Sequence, residues 1–514
     1  MMTTLLTRSY YHSPCRATPF LGRSLGQQFC LMADKYPDKE MYVFYADKER
    51  KTFQQVREES QQLAASFLSL GLSTGDRLGV WGGNHYEWLV TYVACMQLGI
   101  ILLGCRALVL TRSPDSVYDT VCEIIPELRS CKADKLKCQR LPELTFVAIG
   151  GEQHMGKGGV YNLDDLIHQG RSSAYKDKVT KICDRIDMDA PAAIVFTSGS
   201  TGTPKAVTHS SHSLLDNIHE NGNFYRGNVK GYVQSWEAKY ALIMHLSGVS
   251  AQYGAVTPIA NGNTVVVVGP NYDKDLMAMA FHEEKITNAG MLIHHMHDLL
   301  NLPYLDSLDF SQMQLIASGG SIIPSSLREK SKKICKMSLM GYGLTETLVS
   351  LLNHPMDDPK RIQSGHYRCI GGYEAKIVNE NGEIVPVNTA GEIHFRGYGI
   401  FLYYWGDEEK TKQAKDDSGW MHTGDIAVMD EEGYIRIVGR KTDFMIIEGI
   451  NVTPFDLEDV LLEHPSIVGV MVVGVPDERA NEAVCACIRV KTGMQLSEDD
   501  VKLFCENKVI FFIS

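Results

Sequence analysis

The chain has 514 residues, 44% of them hydrophobic, enough to bury several cores and to build one large domain with at least one smaller one. Its formal charge of -12 leaves no basic field for neutralising phosphates along a strand, so a general nucleic-acid binder is excluded and any phosphate site has to be local. Thirteen cysteines, an odd number scattered through apolar segments, read as free thiols of a reducing compartment rather than a disulfide framework.

The N-terminus carries Arg8, Arg16 and Arg23 with no acid before Asp34, a pattern that fits an organelle transit peptide as well as an ordinary basic start. A helix is expected over Phe53–Leu70, a strand over Arg77–Trp81, a helix over Tyr86–Leu98 and a strand from Ile100. The run Trp88–Cys105 is uncharged and approaches the roughly 20 residues of a membrane span. Tyr92 and Gln97 interrupt it and Gly99 is a helix stop, so a buried helix followed by a strand is expected, and no transmembrane segment. Further strands are read at Ala192–Phe196, Thr264–Val268 and Leu315–Ala317. The alternation implies helix-covered, largely parallel sheets of the doubly wound α/β class. Between Ile377 and Val438 short alternating runs with turns at Asn381-Gly382 and Glu432-Gly433 predict a β-rich subdomain. Beyond it, a strand at Met445–Glu448, a helix at Pro454–Glu463, strands at Val468–Val473 and Ala483–Val490 and a helix from Glu498 describe a small α+β domain joined through Arg440–Asp443. The expected division is 1–439 and 440–514. Cys485 and Cys487, two apart in a strand-like run, should share one face and belong to the core rather than to a metal.

The sharpest chemical signal is Phe196-Thr-Ser-Gly-Ser-Thr-Gly-Thr-Pro-Lys205. Ser198, Ser200, Thr201 and Thr203 offer hydroxyls, Gly199 and Gly202 let backbone amides approach an anion, and Lys205 adds charge. Thr203 and Pro204 separate Gly202 from Lys205, and Ala206–Thr208 reads as a strand, so this is not the G-x-x-x-x-G-K-[ST] loop of the NTPases. The bland alternative is a surface turn.

This loop resembles the [ST]-S-G-[ST]-T-G-x-P-K signature of the adenylate-forming superfamily, which includes acyl-CoA synthetases, luciferases and peptide-synthetase adenylation domains. The resemblance continues in order through Ser318-Gly-Gly-Ser321, Tyr342-Gly-Leu-Thr-Glu-Thr347, Gly391-Glu392 with Arg396-Gly397, Trp420-x-His-Thr-Gly-Asp425 and Gly439-Arg440. Gly79–Gly82 with Asn84, Val472–Asp477 and Cys485–Arg489 are most similar to the medium-chain acyl-CoA synthetases of that superfamily. The resemblance implies ATP-dependent synthesis of acyl-CoA from a fatty acid through an acyl-adenylate, with ATP, Mg2+ and coenzyme A as cofactor or substrates and no nucleic-acid partner. It implies that Thr197–Lys205 hold the phosphates, that Gly320 and Ser321 lie along adenine, and that Tyr342 and Gly343 flank it. Thr345 would meet the α-phosphate, Glu346 would help to hold magnesium, Asp425 would accept from the ribose hydroxyls and Arg440 would lie beside ribose and phosphate. His245, in Met-His-Leu-Ser-Gly248, is similar to the H-x-x-G element at the acyl pocket, against the alternative of a satisfied core histidine. His294, His295 and His297 lack the spacing and the companion ligands of a metal site. A mitochondrial location is implied, with the cytoplasm as the alternative.

Three departures from the family pattern bear on activity. Leu103–Ala107 runs on where an N-P loop and another helix are expected, Glu448 and Ile450 stand where the family has a Gly-Gly pair and an acid, and the chain ends at Phe511–Ser514 before the family's G-K lysine. On that ground the small domain is expected to be incomplete and adenylation impaired. The alternatives are a catalytically weak nucleotide-binding protein and another carboxylic-acid adenylating ligase.

Overall fold

The computed structural model describes residues 5–13, 16, 18–102, 106–112, 115–151, 157–172, 174–197, 204–224, 236–320, 323–443, 445–447, 450–452, 454–477, 481–491 and 493–506. The helix Phe53–Ser69 starts where Thr52 and Gln55 cap each other's backbone N–H, and it buries Phe53, Val56, Leu63, Ala64 and Phe67. The helix Tyr86–Leu98 is buried at every position and stops at Gly99, whose φ of 62° lets its N–H reach Cys95 O. Its membrane-like apolarity thus comes from burial on all sides. No helix among the described residues is long and apolar enough to cross a membrane.

Two large sheets carry the molecule. In the eight-stranded sheet, Arg77–Trp81 lies between Ile101–Leu102 and Ala107–Leu110, parallel to both. Parallel strands of one sheet ordinarily need a connection of about a dozen residues; Ile101–Leu102 and Ala107–Leu110, on either side of Arg77–Trp81, are joined by 103–106 alone, of which 103–105 lie outside the described residues. On the other side, Pro191–Thr197 pairs antiparallel with Lys205–Ser210, which in turn pairs with Tyr403–Tyr404.

The fourteen-stranded sheet is parallel through Glu40–Phe44, Thr264–Val267, Lys239–Leu242, Asn288–Gly290, Leu315–Gly319 and Met337–Leu344. It turns antiparallel at Leu348–Leu352 and continues through His366–Cys369, Ile435–Arg440, Met421–Met429, Gly391–Gly397 and Tyr373–Val378 to Tyr10–His12. The β-rich region therefore extends the parallel sheet, a continuity that strand periodicity does not reveal. Arg16 is enclosed by Asp216 and Glu220, with its guanidinium over the Phe20 and Tyr398 rings. The core on both faces is aliphatic and aromatic, each fully buried Val, Leu, Ile or Phe being worth about 1.5–3 kcal/mol.

Ile450–Val452, Met445–Ile447, Asn481–Val490 and Ile467–Asp477 form a separate antiparallel sheet, with the helices Pro454–Leu462 and Glu498–Glu506 alongside. Its core contains Met445, Leu457, Leu461, Ile467 and Val472. Cys485 and Cys487 do share a face, but not the core one. Ala486 and Ile488 pack inward, whereas Cys487 is exposed, which corrects the core assignment.

Candidate functional site

In a parallel sheet, the carboxyl ends of the strands are where loops converge on a ligand. Here Leu315–Gly319 and Met337–Leu344 run side by side, with Gly319 opposite Gly341, and bring Gly320, Tyr342 and Gly343 to one edge. Gly320 turns the chain at φ +86°. Gly343 sits where the hairpin to Leu348–Leu352 crosses itself. A Cβ there would stand 1.9 Å from Leu348 O, so no side chain fits. The turn of that hairpin carries Thr345 and Glu346. It is braced by Leu344 N donating to Thr347 Oγ1 (3.1 Å) and by the Tyr373 hydroxyl donating to Thr347 O (2.8 Å).

Thr197 and Lys205 face each other as strand partners on either side of residues 198–203. Lys205 Nζ lies 5.2 Å from the centre of the Tyr404 ring. The Tyr404 hydroxyl donates to Glu346 Oε1 at 2.7 Å, and burial together with Glu346 holds that phenol far above its usual pKa. Glu346 is 9% exposed. Lys205, Tyr404 and Glu346 thus form one connected group, in which Tyr404 occupies one carboxylate oxygen and no other side chain among the described residues bonds Oε2. Among the described residues no carboxylate lies within ion-pair distance of Lys205 Nζ. Pro204 is exposed beside it.

His209, fully buried on the strand Lys205–Ser210, contacts Thr345 O through Nε2 at 2.7 Å and Ser213 Oγ through Nδ1 at 3.2 Å. Burial pushes its pKa down to about 4, so the ring is neutral at pH 7. A carbonyl only accepts, so the proton sits on Nε2 and His209 donates to the backbone of Thr345.

A second group lies where Met421–Met429 pairs with Ile435–Arg440, Asp425 being opposite Arg440. The Tyr342 hydroxyl donates to Asp425 Oδ2 at 2.6 Å, and Arg440 Nε stands 3.1 Å from Oδ1 as an ion pair. Oδ1 itself receives no well-aligned hydrogen bond among the described residues. Burial raises the Asp425 pKa above the usual carboxylate value despite the opposing pull of Tyr342 and Arg440. Asp425 is 4% exposed, so its carboxylate is buried and held in orientation by Tyr342 and Arg440. Behind it Gly424 N donates to Glu392 Oε1 at 3.1 Å, and the neighbouring His394 holds the Glu392 carboxyl down to about 2.

His245 is exposed, its Nδ1 2.8 Å from Ser247 Oγ, so it is not a core histidine. Asn84 braces its turn, giving Nδ2–H to Met244 O and taking Leu246 N–H on Oδ1, both at 2.9 Å. Met244 lines a cavity of about 370 Å³ that begins at Gly319, Gly320 and Gly343 and runs along the sheet face past Tyr240, Tyr253 and Val349. His294 and His295 are in contact, and among the described residues no group of three or more His, Cys, Asp or Glu is placed to hold a metal.

Ser198, Gly199, Ser200, Thr201, Gly202, Thr203, Ser321, Glu448 and residues 507–514 lie outside the described residues. Sequence reasoning passed over His209 and Tyr404. The aromatic run Phe401–Trp405 before Gly406 is the signal present for Tyr404; for His209 there is none, since its partner is 136 residues away.

Residues 31–405 match the AMP-binding enzyme family and residues 456–511 match the AMP-binding enzyme C-terminal domain, so the chain belongs to the AMP-binding enzyme family. It is 33% identical to "Medium-chain acyl-CoA ligase ACSF2, mitochondrial" of Bos taurus over 518 residues, 95% of this chain and 83% of that protein. The human protein of the same name is 32% identical over 536 residues, 100% of this chain and 86% of its own length. A "Putative acyl-CoA synthetase YngI" of Bacillus subtilis is 28% identical, covering 95% and 91%. In fold the chain is similar to ATP-bound MatB from Rhodopseudomonas palustris, with a TM-score of 0.78 at 22% identity over 95% of this chain and 93% of that one. It is likewise similar to the anthranilate CoA ligase AuaEII in complex with anthranoyl-AMP, with a TM-score of 0.79 at 22% identity over 96% and 92%.

Proposed function

We propose that this chain is an ATP-dependent acyl-CoA ligase that activates a fatty acid as its acyl-adenylate and transfers the acyl group to coenzyme A. The observation that carries the reading is the continuity of a largely apolar cavity with Gly319, Gly320 and Gly343, the strand ends beside Tyr342 and Asp425. An acid lying in the cavity presents its carboxylate at the edge where a nucleotide would lie. Leu315 to Gly319 spans about 13 Å at roughly 3.3 Å per residue, the scale of a medium-chain acid. The names of the relatives point to the same substrate and to a mitochondrial location.

In this reading the substrate carboxylate attacks the α-phosphorus in line, pyrophosphate leaves, and the CoA thiol then displaces AMP. The protein's work is alignment and charge neutralisation. Thr197, the loop Ser198–Thr203, Pro204 and Lys205 embrace the phosphates; Gly320, Ser321, Tyr342 and Gly343 enclose adenine; Thr345 meets the α-phosphate. Asp425 accepts from the ribose diol, Arg440 neutralises charge at its side, and His245 stands near the cavity mouth. His209 and Tyr404 are positioning residues for the Thr345–Glu346 turn. Magnesium, which shields phosphate charge when bound, would be held by Glu346. A single carboxylate with one free oxygen fits an ion that takes its other ligands from phosphates and water. We place the domain boundary at 439/440; Arg440 is the last residue of the large sheet and Met445 the first strand residue of the small one, so the change of sheet falls just beyond that point.

The test is incubation of the full chain with octanoate, MgATP and coenzyme A. Equal amounts of octanoyl-CoA and AMP are expected; thioester accompanied by ADP, or no acid-dependent thioester at all, would overturn the reading.

A further inference from the structure

The wall of the cavity changes character along its length. Near Gly319 it is built from Gly341, Val349 and Leu348 with the single hydroxyl of Ser318, and at the far end, by the amino ends of the parallel strands, four carboxamides gather, Asn221, Asn261, Asn263 and Asn288. The registers fix this polarity: Lys239 pairs with Thr264, next to Asn263, and Asn288 pairs with Leu315, whereas Gly319 and Gly341 mark the opposite end. A cavity made only for an alkyl tail would end on aliphatic groups, because burying an unmatched carboxamide costs free energy that an alkyl ligand does not return.

Two of these carboxamides carry a buried oxygen that the protein leaves unmatched. Asn263 is 4% exposed and its Oδ1 has no donor among the described residues; Asn221 Oδ1 is in the same state, although its Nδ2 is used on Asn217. Asn261 is oriented from behind. Its Oδ1 takes Asn223 Nδ2–H at 3.2 Å and lies 2.9 Å from His219 Nδ1, so its Nδ2 is turned to the wall at Gly222, where a Cβ would stand only 2.6 Å from it. The far end therefore offers acceptors on Asn263 and Asn221 and a donor on Asn261. That set matches a hydroxyl, which both donates and accepts. No lysine or arginine lines the cavity among the described residues, so a second carboxylate would be buried without a counter-charge.

We infer that the acid this chain prefers carries a neutral hydrogen-bonding group, a hydroxyl foremost, near its ω end, and that Asn263 is the main specificity-determining residue, with Asn221 and Asn261 completing the set. This rests on the acyl-CoA ligase reading above and names its substrate class. The distance agrees: successive carbons of an extended chain, with bonds of about 1.5 Å, advance roughly 1.25 Å each, so about ten carbons cover the 13 Å between the two ends.

The experiment compares kcat/KM for decanoate, 10-hydroxydecanoate and decanedioate with the full chain, following AMP release. For the unaltered chain, 10-hydroxydecanoate should be favoured over decanoate by about 10- to 100-fold, the span expected when a ligand lacking the hydroxyl leaves buried polar groups unmatched. Decanedioate should be the poorest substrate. Asn263→Leu should bring the two monoacids to within a few-fold of each other, mainly by improving decanoate. Gly222→Ala, which displaces Asn261, should lower only the hydroxy-acid preference. If the unaltered chain uses decanoate as well as or better than 10-hydroxydecanoate, or if decanedioate leads, the inference is wrong and the ligase reading stands. Turnover of none of the three acids would remove both.

Discussion

Removing the Asp425 carboxylate should weaken nucleotide binding through one identifiable contact. Asp425 is 4% exposed, with Tyr342 on Oδ2 at 2.6 Å and Arg440 3.1 Å from Oδ1, which receives no well-aligned hydrogen bond among the described residues. A ribose hydroxyl donating to this carboxylate would form a charge-assisted bond worth about 1.5–3 kcal/mol, or roughly 10- to 150-fold in Kd. Asp425→Asn preserves shape and an acceptor while removing the charge, and should cost about half of that. Asp425→Ala should cost all of it, and should also lower stability by about 1–3 kcal/mol by stranding the Tyr342 hydroxyl. Calorimetric titration with MgATP and with its 2′,3′-dideoxy analogue closes a double-mutant cycle. The expected result is that the unaltered chain binds the analogue as weakly as Asp425→Ala binds MgATP, and that the mutation has no further effect on the analogue. Independent, additive losses would show that Asp425 does not touch the ribose.

Three other outcomes are expected. Lys205→Ala should weaken MgATP binding by about 1.5–3 kcal/mol with little change in Tm, because Lys205 is tied to the fold by a ring contact with Tyr404 rather than by a carboxylate; calorimetry and thermal melts check both halves. His209 has its pKa pushed down to about 4 in the folded chain against about 6.5 unfolded, so the unfolded state binds the extra proton and stability falls as pH drops through that window. Its share between pH 7 and pH 5 is about 2 kcal/mol, read as a difference in urea midpoints that His209→Gln should abolish. Gly343→Ala should destabilise by about 1–3 kcal/mol or more, since the new methyl meets Leu348 O at 1.9 Å; an unchanged melting temperature would contradict the tight crossing.

Local pattern carried much of the architecture. Arg77–Trp81 and Tyr86–Leu98 fall where hydrophobic runs and a stop glycine place them, and the strands around Thr264 and Leu315 agree within a residue or two. What could not be read is what depends on pairing between distant segments. Tyr10–His12 joins a sheet whose next strand starts at Tyr373, and the hairpin Glu40–Phe44 with Glu49–Thr52 is too polar on its second strand to announce itself. The same limit governs the site. Tyr342, Asp425 and Arg440 were legible from spaced motifs, and the structure brings them into contact, whereas Tyr404 and His209 act through partners 58 and 136 residues away. Cys487 shows the opposite failure: period-two reasoning paired it correctly with Cys485, but nothing in a strand alone says which face is buried.

The most direct test of the central claim isolates the first half-reaction. The full chain is incubated with MgATP, labelled pyrophosphate and a medium-chain acid, with coenzyme A left out. An acyl-adenylate mechanism predicts label entering ATP only when the acid is present, with Lys205→Ala and Asp425→Ala both slowing the exchange. Acid-independent exchange, or none while acyl-CoA still forms once coenzyme A is added, would contradict it.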